Sequence, residues 1–79
     1  MVKTDFKHRV RIAKILRNMR KASGATQSDC AEIIGVQLTT YSRYEIYRQD
    51  IKLVDFLRLC DFFNYDPSLL TEWREHEKT

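Results

Sequence analysis

Residues 30–45 read CAEIIGVQLTTYSRYE. A small side chain stands at Ala31, a glycine follows at Gly35, and apolar residues come at Val36, Tyr41 and Tyr44. Between these, Gln37, Leu38, Thr39, Ser42 and Arg43 are mostly polar. Two short helices that cross closely need a small residue at the crossing, and Ala31 supplies it. The turn between them needs a positive φ, which Gly35 adopts without steric cost. One helix over 27–34 and another from Leu38 to about Ile46 turn Cys30, Ile34, Val36, Tyr41 and Tyr44 inward together.

Helix, tight turn and helix within residues 27–46 make a helix-turn-helix pattern. The rest of the chain extends it with further helices. From Asp5 to Ala22, the apolar residues Phe6, Val10, Ile12, Ala13, Ile15, Leu16 and Met19 recur at three and four, which gives one broad buried face. Thr4 or Asp5 suits its cap, and Gly24 suits its end. Thr26 is the expected N-cap of the second helix, with Asp29 at N3. A fourth helix fits Ile51 to Phe63, capped by Asp50. It is apolar nearly all round, which places it at the centre of a bundle or partly in a subunit interface. Asn64 suits its left-handed close. Asp66 and Pro67 open a fifth, which fades into a charged tail over about 74–79. Tyr41, Tyr44 and Tyr47 lie three apart, which favours helix over strand. The expected fold is all-α: a compact five-helix bundle in a single domain, residues 1–79.

The chain has 79 residues, enough for one modest core. No apolar run approaches the ~20 residues of a membrane span. The opening MVKTDFKHRVR has no apolar core of the secretory kind. A cytoplasmic, nucleoid-associated protein with no membrane partner is expected. Cys30 and Cys60 stand far apart with no CxxC, and read as small core residues. Net charge is +3 and unevenly spread. Residues 1–48 carry ten Lys/Arg against four Asp/Glu, and residues 49–79 carry four against seven. That asymmetry suggests an anionic partner for the first half. The sequence shows no phosphate-binding glycine loop, no paired nucleophile and base, and no ligand cluster. His8 and His76 lie near opposite ends and read as surface residues. No catalytic residue, metal site or cofactor is assigned.

The stretch LRNMRKASGATQSDCAEIIGVQLTTYSRYE resembles the phage-repressor family of DNA-binding domains, the Cro and lysogeny-repressor type that includes the xenobiotic-response-element regulators. The pieces that carry the resemblance are Leu16-Arg17 with Arg20, Gly24, Thr26-Gln27, Ala31, Gly35-Val36, Ser42-Arg43-Tyr44-Glu45 and the closing FFNYDPSLL. It covers roughly residues 10–70 and implies a lambda-repressor-like bundle. Three positions depart from the family. Tyr47 stands where it usually has glycine, Ile46 where a polar residue often meets a phosphate, and Leu38 where glutamine is common.

The resemblance implies a third helix that enters the major groove of double-stranded DNA. Gln37, Leu38, Thr39 and Arg43 are then the expected base readers, with Arg43 suited to guanine O6 and N7. Thr26, Gln27, Ser42, Tyr47 and Arg48 are the expected phosphate contacts, and Arg9, Arg11, Arg17 and Lys21 add positive charge. The family pairs Arg20 and Glu45 as a partly buried structural ion pair. A homodimer, at least on DNA, is expected, because such domains bind twofold sites. Candidate dimer residues are Phe62, Phe63, Tyr65, Leu69, Leu70 and Trp73. The implied function is a small repressor or autoregulator. The alternative is a protein-binding module on the same fold, an antitoxin or adaptor; the aromatic YSRYEIYR favours it, and the basic first half opposes it.

Overall fold

A computed structural model of the chain describes residues 4–66. Four helices follow one another: α1 Thr4–Ala22, α2 Gln27–Ile34, α3 Leu38–Glu45 and α4 Leu53–Phe62. The expected fifth helix falls on residues 67–79, outside the described residues, so the five-helix count is replaced by four helices among those described. Leu69, Leu70 and Trp73 lie outside them too. Among the described residues no helix is long and apolar enough to cross a membrane.

The core forms where the apolar faces of all four helices meet. Leu16 and Met19 come from α1, Cys30, Ala31 and Ile34 from α2, Tyr41 and Tyr44 from α3, and Leu59 and Cys60 from α4. Burying side chains of this size contributes roughly 1.5–3 kcal/mol each for the larger aliphatic ones. Val36 is half-buried and packs against this cluster. Both cysteines are free thiols inside it, and burial pushes each thiol pKa up. α2 packs against both α3 and α4, while α1 packs against α3. Phe6 departs from the expected inward face of α1: it is exposed, its ring edge-on to Tyr47 with centroids 6.1 Å apart.

The four helices described share one feature at their ends. A residue with left-handed backbone follows each: Gly24 at φ 70°, Gly35 at 69°, Tyr47 at 67° and Asn64 at 55°. The next N–H then reaches back five residues to a carbonyl that the helix leaves over. These bonds are Ala25 to Arg20 (3.0 Å), Val36 to Ala31 (3.0 Å), Arg48 to Arg43 (3.0 Å) and Tyr65 to Cys60 (2.8 Å). Each is the 6→1 bond of a Schellman motif, which satisfies orphan carbonyls and turns the chain sharply. Glycine and asparagine suit that backbone; tyrosine does not.

α4 corrects two expectations. Asp50 does not cap it. The N-cap is Lys52, which makes no side-chain capping bond. Asp50 is held instead by Arg9 of α1, whose Nε donates to Oδ1 at 2.6 Å and Nη2 to Oδ2 at 3.3 Å. An ion pair across the fold thus takes the carboxylate that local sequence offers to the helix. Nor is α4 central. Only Asp55, Leu59 and Cys60 are buried, while Leu53, Val54, Leu57 and Phe62 are exposed.

Candidate nucleic-acid interface

The site is built on the start of α2 and the outward face of α3. Thr26 opens α2 with a capping box. Its Oγ1 accepts from the Asp29 N–H at 3.0 Å, and Asp29 Oδ2 accepts from the Thr26 N–H at 2.9 Å. A cap of this kind is worth ~1 kcal/mol and fixes where the helix begins. α3 starts after Gln37, whose side chain makes no capping bond and is exposed. Along α3, Tyr41, Tyr44 and Glu45 are buried, and Leu38, Thr39 and Arg43 are exposed. Ser42 is half-buried, at the border of the two faces. Leu38 keeps 49% of its surface in solvent.

Beneath that face lies a polar cluster centred on Glu45, which is 1% exposed. Arg20 grips its carboxylate with two bonds, Nε to Oε2 at 2.8 Å and Nη2 to Oε1 at 3.0 Å. Gln27 Nε2 also donates to Oε1, at 3.0 Å. Ser42 Oγ donates to Gln27 Oε1 at 2.8 Å. Arg17 Nη1 donates to the Glu45 carbonyl at 2.6 Å, satisfying the last turn of α3. Arg20, Gln27 and Glu45 thereby tie α1, α2 and α3 together.

The charges follow from this geometry. Burial pushes the Glu45 carboxyl up, but hydrogen bonds from Arg20 and Gln27 and the Arg20 charge outweigh it and hold its pKa below the ordinary 4.5. The Arg20 guanidinium is raised by the same bond. The Tyr41 hydroxyl lies buried near Glu45 and Cys30 with no well-formed hydrogen bond among the described residues, and burial drives its pKa up.

The structure thus brings Arg20, Glu45, Gln27 and Ser42 into one network and leaves Gln37, Leu38, Thr39 and Arg43 facing water beside it. Thr26 is exposed at the near end of α2, and Arg48 is exposed beyond α3. Tyr47 is half-buried. Its ring carries the Arg17 guanidinium 5.7 Å from the centroid, and its carbonyl accepts from Arg9 Nη1 at 3.5 Å. Arg9 and Arg17 therefore hold the fold together as well as supplying charge. The Gln27–Ser42 bond went unread in the sequence. Its signal was the i, i+3 spacing of Ser42 and Glu45, which puts both on the edge of α3 beside the start of α2.

Residues 11–73 match the family model of a helix-turn-helix domain, and the chain belongs to that family. The chain is a helix-turn-helix DNA-binding domain, with double-stranded DNA as the partner this fold implies. Comparison with curated proteins and with solved structures gives no significant match.

Proposed function

We propose that the protein is a sequence-specific transcriptional regulator, a small repressor or autoregulator of the Cro and lysogeny-repressor type. It lays α3 in the major groove of a twofold operator. Arg43 forks onto a guanine, Leu38 meets a thymine methyl, and Gln37 and Thr39 bond neighbouring base edges. Thr26, the free Nε2 hydrogen of Gln27, Tyr47 and Arg48 lie along the flanking phosphates. The observation that carries this reading is the contrast between the two faces of α3. One face is locked by the Glu45 network, and the other presents Leu38, Thr39 and Arg43 to solvent.

A single helix covers a short site, so two copies bind as a homodimer. The exposed apolar side chains Leu53, Val54 and Leu57 of α4, with Phe62, support that reading, since one copy leaves them in water.

The test is fluorescence anisotropy against the gene's own upstream DNA and a scrambled duplex, across a salt series. Tight binding to the upstream DNA alone, relaxed by roughly 1–3 kcal/mol in Arg43→Ala, is expected. Equal, weak and steeply salt-dependent binding to both would overturn it and point to a protein partner on the same fold.

A further inference from the structure

Ser42 carries one proton, and the structure shows where that proton goes. The Gln27 amide can face the Glu45 carboxylate only with its NH2 group, because two acceptors would repel at the 3.0 Å contact. Its carbonyl oxygen must then face Ser42. A bond of 2.8 Å between Gln27 Oε1 and Ser42 Oγ requires the hydroxyl to be the donor. Glu45 in turn is oriented by two bonds from Arg20. Ser42 thus donates to Gln27, and Gln27 and Arg20 both donate to Glu45, so donation runs inward to the carboxylate and leaves the lone pairs of the serine outermost.

Ser42 sits one turn beyond Leu38 and beside Arg43, on the border of the exposed face of α3. What it offers there is an acceptor. A phosphate has only acceptors, so to bond one Ser42 would have to withdraw its proton from the carbonyl of half-buried Gln27, which has no other donor among the described residues. In the major groove the complementary donors are the amines, N6 of adenine and N4 of cytosine.

We infer that Ser42 is a specificity-determining residue that accepts from a base amine, and that Gln27 and Glu45 set this preference by fixing its proton. The inference rests on the reading that α3 enters the major groove. Guanine O6 and thymine O4 at that position meet a lone pair with a lone pair and are disfavoured. Gln27 is then a positioning residue in base recognition, in addition to any phosphate bond through its second amide hydrogen.

The experiment begins with selection of a preferred duplex from a random pool by the full chain. Each adenine or cytosine of that duplex is then replaced, one at a time, by purine or 2-pyrimidinone, which lack the amine. Binding of wild type, Ser42→Ala and Gln27→Met is measured on each. Wild type should lose about tenfold at one position per half-site, and Ser42→Ala should be indifferent there; comparison on the same duplex removes the effect of a weakened base pair. Gln27→Met frees the hydroxyl and should let guanine or thymine replace the amine base at that position alone. A uniform loss in Ser42→Ala on every duplex, with the salt slope reduced by about 0.9, would make Ser42 a phosphate donor and overturn the inference. So would the lack of any position whose amine effect disappears in Ser42→Ala, since the amine effects that survive there belong to other base readers. If wild type selects no sequence at all, DNA reading itself has failed, which is a separate result from a preferred duplex without amine dependence at Ser42.

Discussion

The turns after α2 and α3 have nearly the same backbone and are made in opposite ways. Gly35 takes φ 69° and Tyr47 takes φ 67°, and each is followed by the same 6→1 bond. At Gly35 the residue type is sufficient: beyond its own chain neighbours, no heavy atom of the described residues lies within 4 Å of where a Cβ would stand, so only backbone freedom matters. At Tyr47 the residue type opposes the turn, and its neighbours impose it. Phe6 packs on the ring, Arg17 lies over it, Arg9 holds the carbonyl, and Arg17 also closes the end of α3 at Glu45. A turn written into one residue survives the loss of distant contacts. A turn imposed by tertiary contacts does not, and it is the one that leads out of the proposed reading helix.

The largest effect that separates them is expected at Glu45. Glu45→Ala strands the Arg20 guanidinium and leaves Gln27 without its acceptor. Loss of one partner of a buried pair costs roughly 3–5 kcal/mol, and urea unfolding should show the lower part of that range, because the Arg20 side chain keeps 15% of its surface in water. Amide exchange should rise at Arg48 and stay slow at Val36, whose N–H groups close the two turns. Equal loosening of both turns would mean the network braces the whole bundle rather than one end of α3. The Asp55–Arg58 pair of α4, 3.9 Å apart with Arg58 mostly in solvent, sets the scale for an ordinary pair; Arg58→Ala should cost under about 1 kcal/mol.

The same carboxylate gives the comparison a pH dependence. Glu45 titrates below its ordinary value in the folded state, so it stabilises the fold fully above the unfolded pKa near 4.5, and that contribution is lost as pH falls through the lower folded pKa. Stability should hold from neutral pH to about 5 and then decline. In Glu45→Gln the acid decline should be shallower, starting from a lower plateau. An identical acid limb in both would place the titrating group elsewhere.

Much of this was legible because the signals are local. Thr26 with Asp29, Ala31, Gly35 and Asn64 each act within a few residues, and α2 spans the expected residues. The sequence failed where a distant residue outbids a local one. Asp50 looks like a helix cap and is taken by Arg9, 41 positions away. Phe6 looks like core and lies on Tyr47 at the edge. That α4 is apolar nearly all round was legible, but which of its apolar side chains stay exposed was not, because an apolar side chain carries no mark of which side it will take. At the proposed site, the outward residues of α3 followed from helical period, whereas the Gln27–Ser42 bond depended on where α2 begins against α3.

Gly35→Ala is expected to have a middle-sized effect. The methyl meets nothing, so the cost is the left-handed backbone alone, roughly 1–2 kcal/mol. Thermal unfolding checks it, and Gly24→Ala, at φ 70° and equally unobstructed, should match it. A much larger loss at Gly35 would mean that the turn between α2 and α3 tolerates no adjustment of its angle, and that its residue type matters beyond φ.

Tyr47→Gly should have the smallest effect, because opposing terms meet there. Glycine relieves a left-handed tyrosine, worth roughly 1–2 kcal/mol. Against that stand the flexibility glycine adds to the unfolded chain, about 0.5–1 kcal/mol, and the lost edge contact with Phe6 and stack with Arg17, each near the low end of such contacts, about 0.5 kcal/mol, because Phe6 is exposed and Tyr47 only half-buried. The net change in unfolding free energy should stay within about 1 kcal/mol of zero. The sign becomes informative in a second background. With Phe6→Ala in place the ring has already lost its partner, so Tyr47→Gly should be less costly there than in wild type, and stabilising if the Phe6 contact was what kept the tyrosine in place. If Tyr47→Gly instead stabilises the wild-type chain by more than 1 kcal/mol, the contacts around the ring do not hold this turn. The tyrosine would then stand there at a cost to stability, and its reason would have to be sought on the DNA.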